Sequence, residues 1–209
     1  VENMRSISSD MHIVVDIDEG YGDDKIARTV TSRLENVGAS AIVLEDQRRP
    51  KKCGHLPGKE IINRDEHIKR LTSVLNARKD LYVIARTDAE DIQEGISRVQ
   101  DYALAGADAV MVEGLDSAES IQLVRESIPS DVSMGVNLIF GGKMGPISLD
   151  ELGSLGVNLV IYSTPCLFAA HGAVDNAIRE LKENNGVLKG DQFGVSLAES
   201  NKILVSNLK

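Results

Sequence analysis

Apolar residues fall in short unbroken runs, each followed by a longer stretch in which they recur every three or four positions. This alternation repeats six times. The runs at His12–Asp16, Ala41–Leu44, Leu81–Ala85, Ala109–Val112, Val132–Val136 and Leu159–Tyr162 predict strands. Ile26, Ala27, Val30 and Leu34 predict a helix over 24–35, with Gly38 ending it. Asn63 and Glu66 make a capping-box-like start for a helix through Arg78. Further helices are predicted over 90–104, over 116–127 with Asp116 and Glu119 opening it, from Ser148 and Glu151, and over 165–184 before Asn185-Gly186. Residues 1–10 read as the tail of a helix plus a turn, and 194–207 as a last amphipathic helix.

Strands that are apolar throughout belong to parallel sheets covered on both faces. Six strand–helix units fit an open doubly wound sheet or part of a barrel, and periodicity does not choose between them. The polar residues do. Asp16, Asp18, Glu45, Arg86, Glu113 and Asn137 lie at or just past the C-terminal ends of five successive strands. A barrel brings those ends to one mouth, whereas an open sheet spreads them along an edge. The expected fold is α/β, a (β/α)8 TIM-type barrel with six parallel strands in this chain. Residues 1–186 would form one barrel domain, and 187–209 a helical extension.

Asp16, Asp18 and Glu45 are hard oxygen donors from two adjacent strands, a set that suits Mg²⁺ with water and substrate completing the octahedron. Alone, the two aspartates could equally be a strand-end turn. The long Gly/Pro-rich loop 47–60 is a candidate lid. Within it, Lys51, Lys52 and His55 surround Cys53 with cations, which favours a thiolate. Gly141-Gly142-Lys143 lacks the P-loop pattern and reads as a tight turn with a solvated lysine. Cys166 and His171 read as packing or interface residues of the last long helix.

Composition narrows the function classes. The 209 residues carry a net charge of −9 and no tryptophan, which weighs against nucleic acid or an anionic membrane as the main partner. No apolar run approaches the ~20 residues of a membrane span. The opening VENMRSISSDM has no signal-peptide pattern, and two cysteines make no disulfide framework, so a cytoplasmic setting is expected.

The stretches DIDEGYG (16–22), LEDQRRPKKCGHLPGK (44–59), IARTDA (84–89), AGADAVMVEG (105–114), NLIFGGK (137–143) and IYSTPCLFAA (161–170) carry a resemblance. The chain resembles the isocitrate lyase/phosphoenolpyruvate mutase superfamily, in the branch of 2-methylisocitrate lyase, dimethylmalate lyase, oxaloacetate hydrolase and carboxyphosphonoenolpyruvate mutase. The resemblance implies a (β/α)8 barrel and a chain that starts at the family's third strand, with the first two βα units missing. It implies a Mg²⁺ site (Mn²⁺ as the alternative ion) on Asp16, Asp18 and Glu45, and a small carboxylate or phosphonate substrate. Arg86 would grip a substrate carboxylate, Cys53 would protonate the carbanion or enolate, and His55, Tyr21, Glu113, Asn137 and Ser163 would position the substrate. The activity implied is lyase cleavage of a carbon–carbon bond in a 2-hydroxy di- or tricarboxylate. The alternatives are carbon–phosphorus mutase or hydrolase chemistry, oxaloacetate hydrolysis, or a degenerate non-catalytic barrel. Phe140 stands where many of the lyases carry a carboxylate, and Ser163 where several relatives have proline. A homotetramer, a dimer of dimers with exchanged C-terminal helices, is also implied.

Overall fold

The computed structural model describes residues 1–187 and 194–207. The chain divides into two compact units, Val1–Ser163 and Thr164–Lys209, and each is described by itself. The first contains α1 (Glu2–Ile7), β1 (Val14–Asp16), α2 (Asp24–Asn36), β2 (Ala41–Glu45), α3 (Arg64–Ala77), β3 (Tyr82–Thr87) and α4 (Ile92–Ala105). It continues with β4 (Ala109–Val112), α5 (Ala118–Ser127), β5 (Ser133–Leu138), α6 (Leu149–Ser154) and β6 (Leu159–Tyr162). The second holds α7 (Pro165–Glu183) and α8 (Leu197–Asn207). Thus α7, predicted as part of the barrel domain, falls in the second unit, and residues 188–193 and 208–209 of the predicted extension lie outside the described residues.

All six strands are parallel, and their spatial order is their sequence order. A doubly wound sheet reverses direction part-way; an order that never reverses, with uniformly right-handed crossovers, keeps every helix on one face. The sheet is therefore a curled arc of a TIM-like α/β fold, open between β1 and β6. Its two faces differ as this requires. The outer face carries the main core, with Ile42, Leu44, Val83, Ala85, Val110 and Val112 under Leu71, Val74, Val99, Tyr102, Ile121 and Val124 of the helices. The inner face carries a small cluster of Val43, Ile84, Ala109 and Met111, edged by Leu159 and Ile161.

The pleat turns that inner cluster into a list of site residues. Side chains two apart on a strand share a face. Stepping two residues on from Val14, Val43, Ile84, Met111, Gly135 and Ile161 gives Asp16, Glu45, Arg86, Glu113, Asn137 and Ser163. Register aligns them across strands, with Glu45 opposite Arg86 on β2 and β3. One polar layer thus lies on an apolar floor at the C-terminal rim.

Helix starts differ in detail from the predicted caps. Asn63 caps α3, but Glu66 turns away to pair with Arg70 (2.9 Å). The start of α5 uses Ser117 and Ser120 in a reciprocal capping box in place of Asp116 and Glu119. Residue 90 is not helical: Asp91 caps α4, and Glu90 instead accepts the amides of Gly58 and Lys59 from the lid (2.8 and 3.3 Å). Among the described residues no helix is long and apolar enough to cross a membrane.

Asp46, next to Glu45, has the opposite parity and points outward. It is fully buried and accepts from Thr87 Oγ1 (2.7 Å), the Asp88 amide (2.9 Å), Arg98 Nη1 (2.9 Å) and Tyr102 Oη (2.7 Å). It fixes the root of the 47–60 loop to β3 and α4. Asp46→Asn removes the charge that Arg98 is paired with and one acceptor oxygen. It should cost about 1–3 kcal/mol in a urea melt, the usual penalty of an unsatisfied buried group. No change in the melt would mean that the network is not what holds the loop.

Candidate active site

Three carboxylates stand at the ends of β1 and β2, and a lysine lies between them. Lys51 Nζ is 2.7 Å from Asp18 Oδ1, 3.0 Å from Glu45 Oε2 and 3.4 Å from Asp16 Oδ2. Arg49 adds a contact to Asp18 (3.1 Å) and is anchored on Glu19 (2.8 Å). Lys51 and Arg49 together hold the Asp18 carboxyl below its ordinary pKa, against the upward push of burial. Glu45 is the reverse case. Burial pushes its pKa up to about 7, and the nearby Asp88 charge adds to this, while Arg86 and Lys51 offset only part. Its Oε2 is buried without an aligned hydrogen bond, since the 3.0 Å approach of Lys51 has the wrong geometry for one.

The predicted cationic setting of Cys53 is not what the side chains form. Lys51 is turned into the acids, Lys52 Nζ donates to Gly58 O, and the Cys53 thiol is exposed. The lysines are drawn to oxygen acceptors, which offer them more than a thiol does.

Arg86 is the second centre. It is 7% exposed and its Nε and Nη2 make a two-point pair with Asp88, both at 2.9 Å. Glu45 Oε2 (3.6 Å from Nε) and Glu113 Oε2 (3.6 Å from Nη1) flank it. These carboxylates, Asp88 foremost, raise its pKa against the effect of burial. Asp88 was not among the predicted site residues. Its signal was its place two after Arg86 in IARTDA, the same parity as the inward-facing residues.

From Glu113 a chain of contacts crosses the mouth. Asn137 Nδ2 donates to Glu113 Oε1 (2.9 Å), and Ser163 Oγ donates to Asn137 Oδ1 (2.7 Å). His55 Nε2 lies 3.3 Å from Glu113 Oε1, while its Nδ1 accepts the Lys143 amide (3.1 Å), which places a ring proton on Nε2. Two glycines permit this approach. A Cβ on Gly54 would lie 2.1 Å from Glu113 Cγ, and one on Gly142 would lie 2.5 Å from His55 Nδ1. The 141–145 loop is thus shaped by the histidine it receives, not by a phosphate.

Tyr21 has a left-handed backbone (φ +62°) and its ring lies under Arg49 at 5.8 Å. Burial and the charges of Asp18 and Asp16 raise its pKa, which keeps the phenol protonated as a hydrogen-bond donor. The polar layer opens on a cavity of about 450 Å³, lined by Val14, Val43, Ile84, Met111, Leu159, Val160 and Ile161, with Asp16, Arg86, Asn137 and Ser163 along it. Strongly perturbed ionisable groups beside a cavity with few polar points mark a site for small-molecule chemistry.

By chemistry this is a donor set for a hard divalent cation, three carboxylate groups around one positive charge and a buried Glu45 oxygen without an aligned donor. Among the described residues, no three of His, Cys, Asp and Glu are themselves close enough to form a ligand cluster. The point they share is held by the Lys51 ammonium.

The model of the phosphoenolpyruvate phosphomutase family matches residues 1–182. The chain belongs to that family. Probable 2-methylisocitrate lyase 1 of Corynebacterium glutamicum is 38% identical over 181 residues, covering 84% of this chain and 59% of that protein. The 2,3-dimethylmalate lyase of Eubacterium barkeri is 30% identical over 197 residues, covering 92% of this chain and 68% of that one. A crystal structure of 2,3-dimethylmalate lyase superposes with a TM-score of 0.83 at 28% identity, covering 98% of this chain and 72% of that one. A phosphonopyruvate hydrolase complexed with oxalate and Mg²⁺ superposes with a TM-score of 0.79 at 27% identity, covering 98% and 73%. The chain spans about three fifths of the length of the first of these relatives (59%).

Proposed function

We propose that the protein containing this chain is a Mg²⁺-dependent carbon–carbon lyase. Its substrate would be a small 2-hydroxy di- or tricarboxylate, of methylisocitrate or dimethylmalate type, cleaved to a 2-oxo acid and a carboxylate. The observation that carries the reading is the convergence of Asp16, Asp18 and Glu45 on one cationic point next to the buried Arg86. The lyase relatives and the Mg²⁺–oxalate complex of a related hydrolase support it.

Asp16, Asp18 and Glu45 would hold the ion once Lys51 yields its place, and Mn²⁺ is the alternative occupant. A bound divalent ion would supply charge stabilisation for the alkoxide formed when the 2-hydroxyl loses its proton ahead of C–C cleavage. The rest falls to side chains. Arg86 Nη1, the nitrogen not committed to Asp88, is placed to orient a substrate carboxylate. Asn137 and Ser163, fixed through Glu113, present amide and hydroxyl groups to the far end of the substrate. His55 keeps Glu113 in place. The 2-hydroxyl gives its proton to solvent and its oxygen becomes the oxo group. The electron pair of the broken bond passes to the leaving carbon as an enolate, and the Cys53 thiol, reprotonated from solvent when the loop opens, delivers the proton there when the loop covers the mouth. The loop also excludes water, which would otherwise protonate the enolate at random.

Isocitrate, 2-methylisocitrate, 2,3-dimethylmalate, citramalate, oxaloacetate and phosphonopyruvate form the panel that tests this on the full-length protein, with oxo-acid or oxalate release followed with Mg²⁺ and with chelator. Turnover of a 2-hydroxy acid should vanish with chelator. It should fall about 10²–10⁴-fold in Cys53→Ser, the usual weight of a general acid. Turnover indifferent to both would defeat the proposal. A second reading, oxaloacetate hydrolysis, is favoured by Ser163, whose hydroxyl would pair with the hydrate of a ketone. Oxalate release from oxaloacetate alone would select it. We also place the second unit at a subunit contact. Leu167, Phe168, Val174 and Ile178 of α7 and Ile203, Leu204 and Val205 of α8 are exposed, and neither helix buries a residue, which supports a homo-oligomer.

A further inference from the structure

Lys59 is a cation with a buried side chain that the proposed reaction does not use. Its side chain is 0% exposed, and it comes from the C-terminal end of the lid loop. Lysine is almost never fully buried unless its ammonium is paired. Lys59 Nζ has two acceptors, one from the lid and one from the floor. It donates to Gly54 O at 2.7 Å and stands 3.5 Å from Asp88 Oδ1. Gly54 lies between Cys53 and His55 at the lid tip. Asp88 is the carboxylate that grips Arg86 at two points.

The tip is seated as closely as backbone allows. A Cβ on Gly54 would come within 2.8 Å of Arg86 Nη2, and one on Gly114 would lie 2.9 Å from Gly54 O. Gly54 brings no side chain to that seat, and the other tie of the tip is His55, whose Nδ1 accepts the Lys143 amide (3.1 Å). The backbone of Lys59 is meanwhile pinned, with its amide and that of Gly58 on Glu90 Oε1. Lys59 therefore reaches from the pinned end of the loop to both its tip and the Arg86–Asp88 pair.

We propose that Lys59 is a positioning residue. Its ammonium fastens the Cys53-Gly54-His55 tip onto the Arg86–Asp88 floor, so that the thiol is set in register with the carboxylate that Arg86 holds. The proposal deepens the lyase reading and rests on it for the word register; the fastening itself does not depend on it.

The test uses the full-length protein. Hydrogen–deuterium exchange of the tip amides, Gly54 to Leu56, is timed by mass spectrometry, since Gly54 is buried and the His55 side chain is 4% exposed, and turnover is measured on whichever substrate the panel selects. Lys59→Met should speed exchange about tenfold and lower kcat about 30-fold, with KM within about twofold, because Arg86 still holds substrate while the acid is out of register. Lys59→Gln keeps a donor for Gly54 O without the charge. It should shift both in the same direction by about threefold, and it decides the matter if the methionine variant does not fold. Exchange rates equal to wild type in the folded variants would overturn the proposal. If no panel member turns over, the lyase reading fails while the exchange ratio still decides the role of Lys59.

Discussion

Glu45→Gln should remove magnesium binding and activity together. The glutamine has the same shape but offers one neutral carbonyl where the site needs anionic oxygen. Glu45 is the buried member of the trio, with a side chain 1% exposed against 30% for Asp18 and 49% for Asp16. It therefore loses the most when its charge goes. Loss of a group aimed at developing charge typically costs about 10²–10³ in turnover, and magnesium affinity should fall by about 100-fold or more, since even groups behind the ligands cost 10–100-fold. Isothermal titration with Mg²⁺ at pH 8 checks it, and an affinity equal to wild type would remove Glu45 from the proposed metal site.

The same residue sets a pH dependence. Its pKa is raised to about 7 by burial, from an unfolded value near 4.5. Folded protein without metal thus binds more protons than unfolded protein between those two values. By linkage, the stability from protonated Glu45 is fully present below about pH 4.5 and is lost as pH rises through about 7. Magnesium must displace the same proton, so its affinity should climb with pH up to about 7, at most tenfold per unit, and then level. In Glu45→Gln both trends should flatten.

The second large effect is expected at Arg86. Arg86→Met leaves Asp88 with only the 3.5 Å contact of Lys59 and leaves Glu113 without its guanidinium neighbour. Breaking a buried pair from one side costs about 3–5 kcal/mol, since the remaining charge has no solvent to fall back on. A urea melt should show a loss of that size. Arg86→Lys should separate charge from shape. It restores a cation, so most of the stability returns. An ammonium cannot span both Asp88 oxygens and a substrate carboxylate, so turnover should stay at least about 100-fold down. Full activity in Arg86→Lys would mean that the fork has no role in orienting substrate.

Much of this was legible in the chain. The six strands and the helices between them follow from apolar runs and helical spacing, and the structure keeps them within a few residues. Boundaries moved where side chains had a better use than capping. Glu66 is drawn to Arg70 one turn on, an i,i+4 pair that competes with the cap, and Glu90 to the lid amides more than thirty residues away in sequence, out of reach of any local rule. Position at the strand ends was enough to single out Asp16, Glu45, Arg86, Glu113 and Asn137, and period two explains why they share a face with the inner apolar cluster. Asp46 shows the limit of reading types without parity. It is an acid at the same strand end, yet it serves the outer network under α4.

The sequence by itself determined the alternation, the parallel sheet and the parity that puts one polar layer on an apolar floor, because these depend on local geometry and burial. Only the tertiary structure decided the partners of the long cations. Lysine and arginine side chains reach several ångströms in any direction, and their neighbours are set by strand register and loop path. Hence Lys51, beside Cys53 in sequence, lies among the carboxylates of β1 and β2, and Lys59, at the end of the same loop, lies buried between its tip and the Arg86–Asp88 pair.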